Sequence, residues 1–281
     1  MKEIKLYYWS DPSTEKHNFG DLLSKYIVEK TSNKKVRLIN PSSRWYKKIL
    51  KHYFAIGSIL CRANKNSIVW GSGIIKKDEK VKPAKFVAVR GPETRKRLVE
   101  LGYNVPKVFG DPGLLTPLFY MPKNIKKRYK LGIVPHYVDY QEIKKNYENN
   151  SEVLIIDLMC HKVEDVINKV TQCEKIISSS LHGVIIAHSY NIPAIWLKCG
   201  DKLSGDDIKF YDYYKSLNIN YPTPKYFNYK TKDVDTLFKE YTNVSLPNLI
   251  NINNLQKGLI ESCPFISKIS KKKLLSDENW K

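Results

Sequence analysis

Long apolar runs are absent from this chain of 281 residues. No stretch approaches the roughly 20 apolar residues that a membrane-spanning helix needs, and residues 1–9 lack the apolar core of a signal peptide. We therefore expect a soluble protein that lies in the cytoplasm or, at most, peripherally at the inner face of the plasma membrane.

Paired cysteines are absent as well. The five cysteines show neither the C-x-x-C spacing of redox and zinc motifs nor a ligand-like spacing with histidine. Several of them lie in apolar, strand-like runs, where a reduced and buried thiol is expected. This pattern predicts free cysteines in a reducing compartment and no metal site.

Arginine is scarce, and acidic residues are outnumbered. Only seven of the 48 basic residues are arginine, and 28 acidic residues leave a net charge of +20. Such an excess favours anionic partners, including phosphorylated small molecules, diphosphate-linked lipids, acidic membrane surfaces and nucleic acid. Because the chain has no helix-turn-helix, zinc or RNA-binding signature, we predict no nucleic-acid partner.

What the chain does contain is a regular alternation of short apolar runs and segments with helical spacing. This alternation predicts an α/β protein whose parallel sheets are covered by helices on both faces. Around residues 116–130 the sequence becomes basic and contains prolines, as linkers between domains often do. We predict two Rossmann-like, doubly wound domains that face a central cleft, the first spanning residues 1–122 and the second residues 123–281. The C-terminal helix either completes the second domain or crosses back to the first.

The predicted elements follow the same alternation in both halves. Strands are predicted near residues 4–9, 54–57, 67–70, 85–89, 106–109, 131–135, 153–156, 175–178 and 194–197. Helices are predicted near residues 22–30, 93–101, 140–147, 163–172, 183–190, 207–217, 233–242 and 252–261. Doubly wound domains bind ligands at the carboxyl ends of their strands, so candidate site residues should lie there.

In the first half, polar and glycine residues follow the predicted strands. Asn18, Gly20 and Asp21 precede the first helix, where Gly20 permits close backbone approach and Asp21 can cap the helix. A cap and a turn without any ligand would account for them equally well. Weaker candidates for the walls of the site come after the next strands, namely Gly57, Ser58, Gly71, Ser72 and Gly73.

Arg90 is a stronger candidate, because it ends a predicted strand in a chain that uses arginine rarely. A planar, bidentate donor at this place predicts a contact with carboxylate or phosphate, and a structural salt bridge is the alternative. Asp111 follows the strand near residues 106–109. It either belongs to a turn or accepts hydrogen bonds from sugar hydroxyls.

In the second half, a strand-turn-helix segment carries the clearest signal. Three serines interrupt an apolar run, and His182 then lies at the start of a helix. A helix start offers N–H groups and a positive end to an anion, and the imidazole beside them can exchange protons. His136, directly after another strand, is a further candidate, whereas His188 on the apolar side of the helix is predicted to be structural. The remaining candidates of this segment are Ser178, Ser179, Ser180, Leu181 and Gly183.

An ordered set of motifs resembles the polysaccharide pyruvyltransferase family. The motifs are residues 18–21, 69–73, 89–92, 110–112, 132–137 and 178–183, followed by residues 209–213. The resemblance implies a fold similar to that of GT-B glycosyltransferases. It also implies transfer of pyruvate from phosphoenolpyruvate to a sugar of a surface polysaccharide or its lipid-linked precursor, with formation of a cyclic ketal, commonly 4,6-linked, and release of phosphate.

The resemblance also assigns roles to residues of this chain. It implies that His182 is the catalytic acid/base, that Arg90 holds phosphoenolpyruvate, and that no cofactor or metal takes part. The first domain is then the acceptor side and the second the donor side. Some relatives carry arginine where this chain has Ser180, so Lys209, Lys198 or the backbone N–H groups at 182 and 183 would have to replace that anion contact.

Two other functions remain open from the sequence. One is a nucleotide-sugar glycosyltransferase with the same GT-B architecture. The other is a non-enzymatic, basic protein that binds anions or an anionic membrane surface. The basic, aromatic residues 44–51 and the lysines at 271–273 suggest such a surface, with ordinary solvated surface as the alternative.

Overall fold

Two parallel sheets, each covered by helices, organise the protein. The computed structural model describes residues 3–10, 13, 15–41, 50–199, 205–219, 224, 226 and 246–276. The described strands are β1 (Ile4–Tyr7), β2 (His17–Asn18), β3 (Val36–Leu38), β4 (His52–Phe54), β5 (Ser67–Trp70), β6 (Lys85–Ala88), β7 (Tyr129–Val134), β8 (Val153–Ile155), β9 (Met159–Cys160), β10 (Cys173–Ser178) and β11 (Ala194–Trp196).

The described helices alternate with these strands. They are α1 (Phe19–Ser32), α2 (Pro92–Glu100), α3 (Tyr140–Tyr147), α4 (Val163–Thr171), α5 (Leu181–Ser189), α6 (Ile208–Ser216), α7 (Leu249–Ser262) and α8 (Lys268–Leu274), with 3-10 helices at Leu60–Arg62 and Pro112–Leu118. Local sequence sets several of the starts. Asn18 caps α1 through its side-chain oxygen, and Pro92 opens α2, where a missing N–H costs nothing.

In each sheet, the direction in which successive strands are added reverses at one defined point. The first sheet has the order β3-β1-β4-β5-β6 and the second the order β11-β10-β7-β8, with parallel pairing throughout both. Strand order therefore reverses between β1 and β4 in the first sheet and between β7 and β10 in the second. Ligands of doubly wound sheets bind in the crevice that such a reversal opens beyond the strand ends.

The two halves of the chain share one hydrophobic core. The largest cluster of buried side chains joins Leu6 and Phe19 of the first half to Val134 and Trp196 of the second. A short antiparallel pair, β2 with β9, also links the halves, and the Phe19 N–H donates to Leu158 O at 2.8 Å. This packing fixes the carboxyl ends of the two sheets against each other.

Helix α7 packs on the first half of the molecule. The indole Nε1 of Trp70, at the end of β5, donates to Leu259 O of this helix at 2.8 Å. Both groups are buried, so their hydrogen bond satisfies a donor and an acceptor that would otherwise be costly. The boundary predicted near residue 122 stays a prediction.

The α/β class and the two parallel sheets flanked by helices are confirmed, and they are consistent with a GT-B-like fold. The strand predicted near residues 106–109 is wrong in extent, because only a single bridge joins Val89 to Phe109. Gly110, with φ of +136°, turns the chain there, and Pro112 then opens a 3-10 helix. The predicted helix at 233–242 and nearly all of the basic segment 44–51 lie outside the described residues. The lysines at 271–273 lie on α8.

Among the described helices, the longest have 14 residues, and none combines the length and apolarity needed to cross a bilayer.

Replacing Leu23 with alanine should destabilise both halves together. Leu23 is fully buried on α1 and belongs to the shared core, so we expect the free energy of unfolding to fall by about 3 kcal/mol. Urea denaturation followed by circular dichroism and by tryptophan fluorescence should show one coincident, shifted transition. Lys25→Ala on the same helix serves as the control. Two separate transitions, with only one shifted, would contradict a shared core.

Candidate active site

Helix α1 begins directly against the imidazole of His182. A Cβ built on Gly20 would lie 2.2 Å from His182 Nδ1, far inside van der Waals contact. Only glycine therefore permits this approach. The Asn18 side-chain oxygen accepts a hydrogen bond from the Gly20 N–H at 2.9 Å and fixes the first turn of α1. The sequence-based candidates Asn18, Gly20 and His182 thus meet, although they come from different halves of the chain.

A buried carboxylate faces the other ring nitrogen of His182. Asp111 Oδ2 lies 3.8 Å from His182 Nε2, and within the described structure neither atom has a hydrogen-bond partner although both are buried. Asp111 Oδ1 accepts from the Gly113 N–H at 2.9 Å and so caps the 3-10 helix. Because Asp111 is fully buried, this arrangement favours the turn interpretation and a partnership with His182 over a direct contact with sugar.

Burial and two cations keep His182 neutral. Desolvation, followed by the positive charges of Arg90 and Lys209, lowers the pKa of His182 to about 3. Burial raises the pKa of Asp111 to about 6, against the lowering effects of the Gly113 hydrogen bond and of Arg90. Burial and the charge of Arg90 lower the pKa of Lys209 to about 8. Two cations, Arg90 and Lys209, therefore act on a neutral imidazole.

The structure assigns Arg90 to an internal network. Its guanidinium, fully buried, donates from Nε to Asp212 Oδ2 at 3.1 Å, from Nη1 to Ser58 Oγ at 2.6 Å and from Nη2 to Ile74 O at 2.7 Å. Three of its five N–H donors are engaged in this way, so the structural salt bridge named as the alternative is present, and a contact of Arg90 with phosphoenolpyruvate stays a prediction. The charge of Arg90 also acts on the site, as the lowered pKa values of His182 and Lys209 show.

Asp212 is a site-supporting residue that the sequence analysis did not single out. Besides Arg90, it accepts hydrogen bonds from Thr94 N at 2.9 Å and Thr94 Oγ1 at 2.6 Å, which fixes α6 against the start of α2. Lys209 lies on the same helix α6, one turn earlier. The available signal was an acidic residue inside the aromatic run of residues 210–214.

Three of the glycine and serine candidates after β4 and β5 contact Arg90, namely Ser58, Ser72 and Gly73. A Cβ on Gly73 would lie 2.4 Å from Arg90 Cζ, and Ser72 Oγ donates to Ala55 O at 3.0 Å. Gly71 has φ of +97° and lies against Pro112, while Gly57 has φ of +117°. Gly57 and Gly71 therefore shape the neighbouring turns, and of these five candidates only Gly57 and Ser58 are partly exposed.

The serine turn before α5 is held mainly by its own hydrogen bonds. Ser178 Oγ lies 2.8 Å from both Val134 O and Ser180 O and accepts from Ser180 N at 3.0 Å. Ser179 Oγ accepts from His136 N at 2.9 Å and joins the ends of β10 and β7. The Ser180 hydroxyl does not cap the helix.

The other residues of this turn are packed inside the protein. Leu181 is buried, and Gly183 lies against Ser178 and Val134. Of the lysines considered as substitutes for an arginine at position 180, Lys198 is paired with Asp207. Lys209 shares that end of the site and acts electrostatically on both His136 and His182.

A pocket of about 350 Å³ opens beside the start of α1. Asn18, Asp21 and His136, all predicted from the sequence, line it together with Trp9 and Tyr137. Burial raises the pKa of Asp21 to about 7, whereas burial and Lys209 lower the pKa of His136 to about 4. His182 lies behind Gly20, next to this pocket.

His188 has a structural role, as predicted. It is buried, with Nδ1 3.0 Å from Tyr213 Oη and Nε2 3.1 Å from Ala194 O. All five cysteines are free, and Cys160, Cys173 and Cys263 are buried. Over the described ranges, no three His, Cys, Asp or Glu side chains are grouped as metal ligands.

Comparison with known proteins identifies relatives over most of the chain. Residues 4–201 match the sequence model described as polysaccharide pyruvyl transferase. An uncharacterized protein of Acanthamoeba polyphaga mimivirus is 35% identical over 224 residues, which cover 78% of this chain and 76% of that protein. The succinoglycan biosynthesis protein ExoV of Rhizobium meliloti is 25% identical over 232 residues, covering 78% of this chain and 66% of that protein. Both sheets and every site residue from Asn18 to His182 fall inside the family match, whereas Lys209 and Asp212 lie beyond it.

Replacing Arg90 with alanine should destabilise the fold as a whole. The substitution leaves the buried Asp212 carboxylate without its cation, and we expect the free energy of unfolding to fall by about 3–5 kcal/mol. The matched control is Lys215→Ala, because Lys215 pairs with Glu93 across the same two helices at the surface. That variant should lose less than about 1 kcal/mol. Equal, small losses in thermal denaturation of both variants would contradict the network.

Proposed function

The chain belongs to the polysaccharide pyruvyl transferase family, and from this premise we propose that it transfers pyruvate from phosphoenolpyruvate to a sugar as a cyclic ketal, with release of phosphate. The observation that carries the proposal is His182, whose side chain is only 17% exposed, with the buried Asp111 beside it and the positive charges of Arg90 and Lys209 acting on it. Family membership supports the coarser function, a transferase of polysaccharide biosynthesis that moves a pyruvyl group. The donor, the ketal and the acceptor are our proposals.

The electrostatics of the site suit an anionic donor. Lys209 is largely withdrawn from water, and its pKa is lowered to about 8 by burial and by Arg90. Because burial disfavours the charged form of Lys209, an anion placed beside its ammonium group would stabilise that form. The backbone N–H groups at the start of α5 add a positive helix end nearby. Together they can replace the anion contact that an arginine at position 180 would supply.

Binding of phosphoenolpyruvate would change the protonation of His182. In the free protein desolvation lowers the pKa of His182 most, and the charges of Arg90 and Lys209 lower it further. The carboxylate and phosphate charges of phosphoenolpyruvate oppose the effect of these two cations. The pKa of the imidazole then rises, and an approach of about 1 Å brings Nε2 within hydrogen-bond distance of Asp111 Oδ2. Asp111 stabilises the imidazolium in this state, as a buried carboxylate does beside a catalytic histidine.

The reaction then proceeds by addition and elimination. The imidazolium donates a proton to the terminal enol carbon, and the carbon that bears the phosphate becomes electron-poor. One sugar hydroxyl attacks this carbon and loses its proton to the neutral imidazole. Phosphate leaves, the second hydroxyl adds to the same carbon, and its proton passes to solvent or phosphate. The products are one cyclic ketal and one inorganic phosphate.

We propose that the acceptor is a polysaccharide or its lipid-linked precursor, and that the protein works at the inner face of the plasma membrane. The name of the relative ExoV, a succinoglycan biosynthesis protein, supports a glycan acceptor. The net charge of +20 supports contact with anionic lipid headgroups and with pyrophosphate-linked carriers. No cofactor or metal enters the proposed steps.

Phosphate release tests the proposed reaction. The protein is incubated with phosphoenolpyruvate and a panel of glycans that contain galactose, mannose or hexosamine, and both phosphate and product mass are followed. We expect acceptor-dependent phosphate and a pyruvylated product, and a loss of at least about a hundredfold in rate for His182→Gln. Release of phosphate without any glycan product, or turnover of His182→Gln near the parent rate, would contradict the proposal.

Replacing Gly20 with alanine should lower the turnover number far more than it lowers the stability of the fold. The new methyl group would meet His182 Nδ1 at 2.2 Å and displace the imidazole. A displacement of this size should lower the turnover number about a hundredfold. Overpacking of this kind costs about 1–3 kcal/mol, and the helix preference of alanine over glycine offsets up to about 1 kcal/mol of that cost, so the protein should stay folded with a moderately lower melting temperature.

Gly258→Ala is the matched control, since its methyl group would meet only Val108 Cγ1, at an ordinary 3.5 Å. It should retain the parent turnover number and a similar melting temperature. Parent-like turnover in Gly20→Ala would show that the position of His182 does not limit the reaction.

A further inference from the structure

We propose that the pocket beside the start of α1 is the binding site for a neutral pyranose of the acceptor glycan, with Trp9 and Tyr137 as stacking surfaces and Asp21 and Asn18 as hydroxyl partners. The pocket has a volume of about 350 Å³, within the range of ordinary small-ligand sites. This inference rests on the proposed function, because it names where the acceptor of that reaction binds.

The charge of the pocket separates it from the site of the anionic donor. Among the described residues, those that line the pocket include no lysine and no arginine, although the chain carries 48 of them. Arg90 and Lys209, the cations that act on His182, are not among its lining residues, although the charge of Lys209 also reaches the lining residue His136. A pocket without a lining cation, in a protein with this excess of lysine, suits an uncharged, polyhydroxylated ligand better than a phosphate.

Two aromatic side chains of the pocket are unusually exposed. Trp9 is 56% exposed and Tyr137 is 52% exposed, whereas Trp70 and Trp196 are completely buried. Tyr137 is steadied by the ring of His136, whose centroid lies 4.4 Å away. Rigid aromatic faces provide large contact areas at low cost in side-chain entropy. The apolar C–H face of a pyranose ring can stack on such surfaces.

The polar groups of the pocket can bind hydroxyls. Asp21 lies in the first turn of α1 and lines the pocket, and burial raises the pKa of its carboxyl to about 7. The Asn18 amide uses its oxygen for the Gly20 N–H, which leaves its NH₂ group as a donor. His136, with its pKa lowered to about 4, is neutral near neutral pH and can also exchange hydrogen bonds with hydroxyls.

The pocket also lies next to His182, the proposed acid/base. Asn18 and Asp21 flank Gly20, and the Cα of Gly20 faces the His182 imidazole. A sugar bound to these two side chains therefore has its hydroxyls next to the proposed acid/base. Asn18, Asp21 and His136 are candidates from the sequence because they follow strands, whereas neither Trp9 nor Tyr137, the last residue of the motif 132–137, was predicted as a site residue.

Saturation-transfer NMR tests the assignment without requiring turnover. The intact protein is titrated with neutral di- and trisaccharides that contain galactose, glucose, mannose or N-acetylhexosamine. We expect at least one to bind, and Trp9→Ala and Tyr137→Ala each to weaken its binding about tenfold. Phosphoenolpyruvate should not displace the sugar. The controls are Val138→Ala, in the same loop as Tyr137, and Met121→Ala, because both side chains are exposed and neither lines the pocket.

Three results would overturn the assignment. They are the absence of any sugar binding, sugar binding that is unchanged in the Trp9 and Tyr137 variants, and displacement of the sugar by phosphoenolpyruvate. In the kinetic assay, the two variants should raise the KM for the glycan about tenfold while leaving the KM for phosphoenolpyruvate within about twofold.

The two proposals fail in different ways. Sugar binding that depends on Trp9, without any phosphate release, would support the pocket and contradict the reaction. Normal turnover with an unchanged KM for the glycan in both variants would support the reaction and contradict the pocket.

Discussion

The close contact between Gly20 and His182 is the constraint on which the site depends. It occurs where the carboxyl end of β1 faces the carboxyl end of β10, at the reversal points of the two sheets. The shared core, the β2–β9 pair and the Trp70–Leu259 hydrogen bond all hold these ends together. A site assembled from two halves needs such rigid packing, because the placement of a catalytic group within about 1 Å decides its rate.

The same packing creates the electrostatic state of the site. Burial removes water from His182, Asp111 and Lys209, so each shifts toward its neutral form. Arg90 donates to Asp212, Ser58 and Ile74, and its positive charge also acts on His182. An anion is then attracted by groups that water no longer screens. Catalysis and donor binding are linked through the protonation of one imidazole.

The architecture and most of the polar residues of the candidate site could be predicted from the sequence. Strand ends are visible as apolar runs, and helix starts as caps and prolines, so Asn18, Arg90 and His182 could be placed without a structure. The sequence could not show that three of the five N–H donors of Arg90 are occupied, because Asp212 is 122 residues away in the chain. The role of Gly20 was equally hidden, since its contact with His182 is tertiary. Trp9 and Tyr137 were missed because an exposed aromatic gives no periodic signal.

The central claim is that an anionic donor converts a neutral His182 into the proton donor of the reaction. Heteronuclear NMR of the histidine side chains, assigned with His182→Gln, reports this protonation directly. Near neutral pH, we predict a neutral His182 in the free protein and an imidazolium when phosphoenolpyruvate is added. A His182 that stays neutral with saturating phosphoenolpyruvate, or that is already charged without it, would contradict the account.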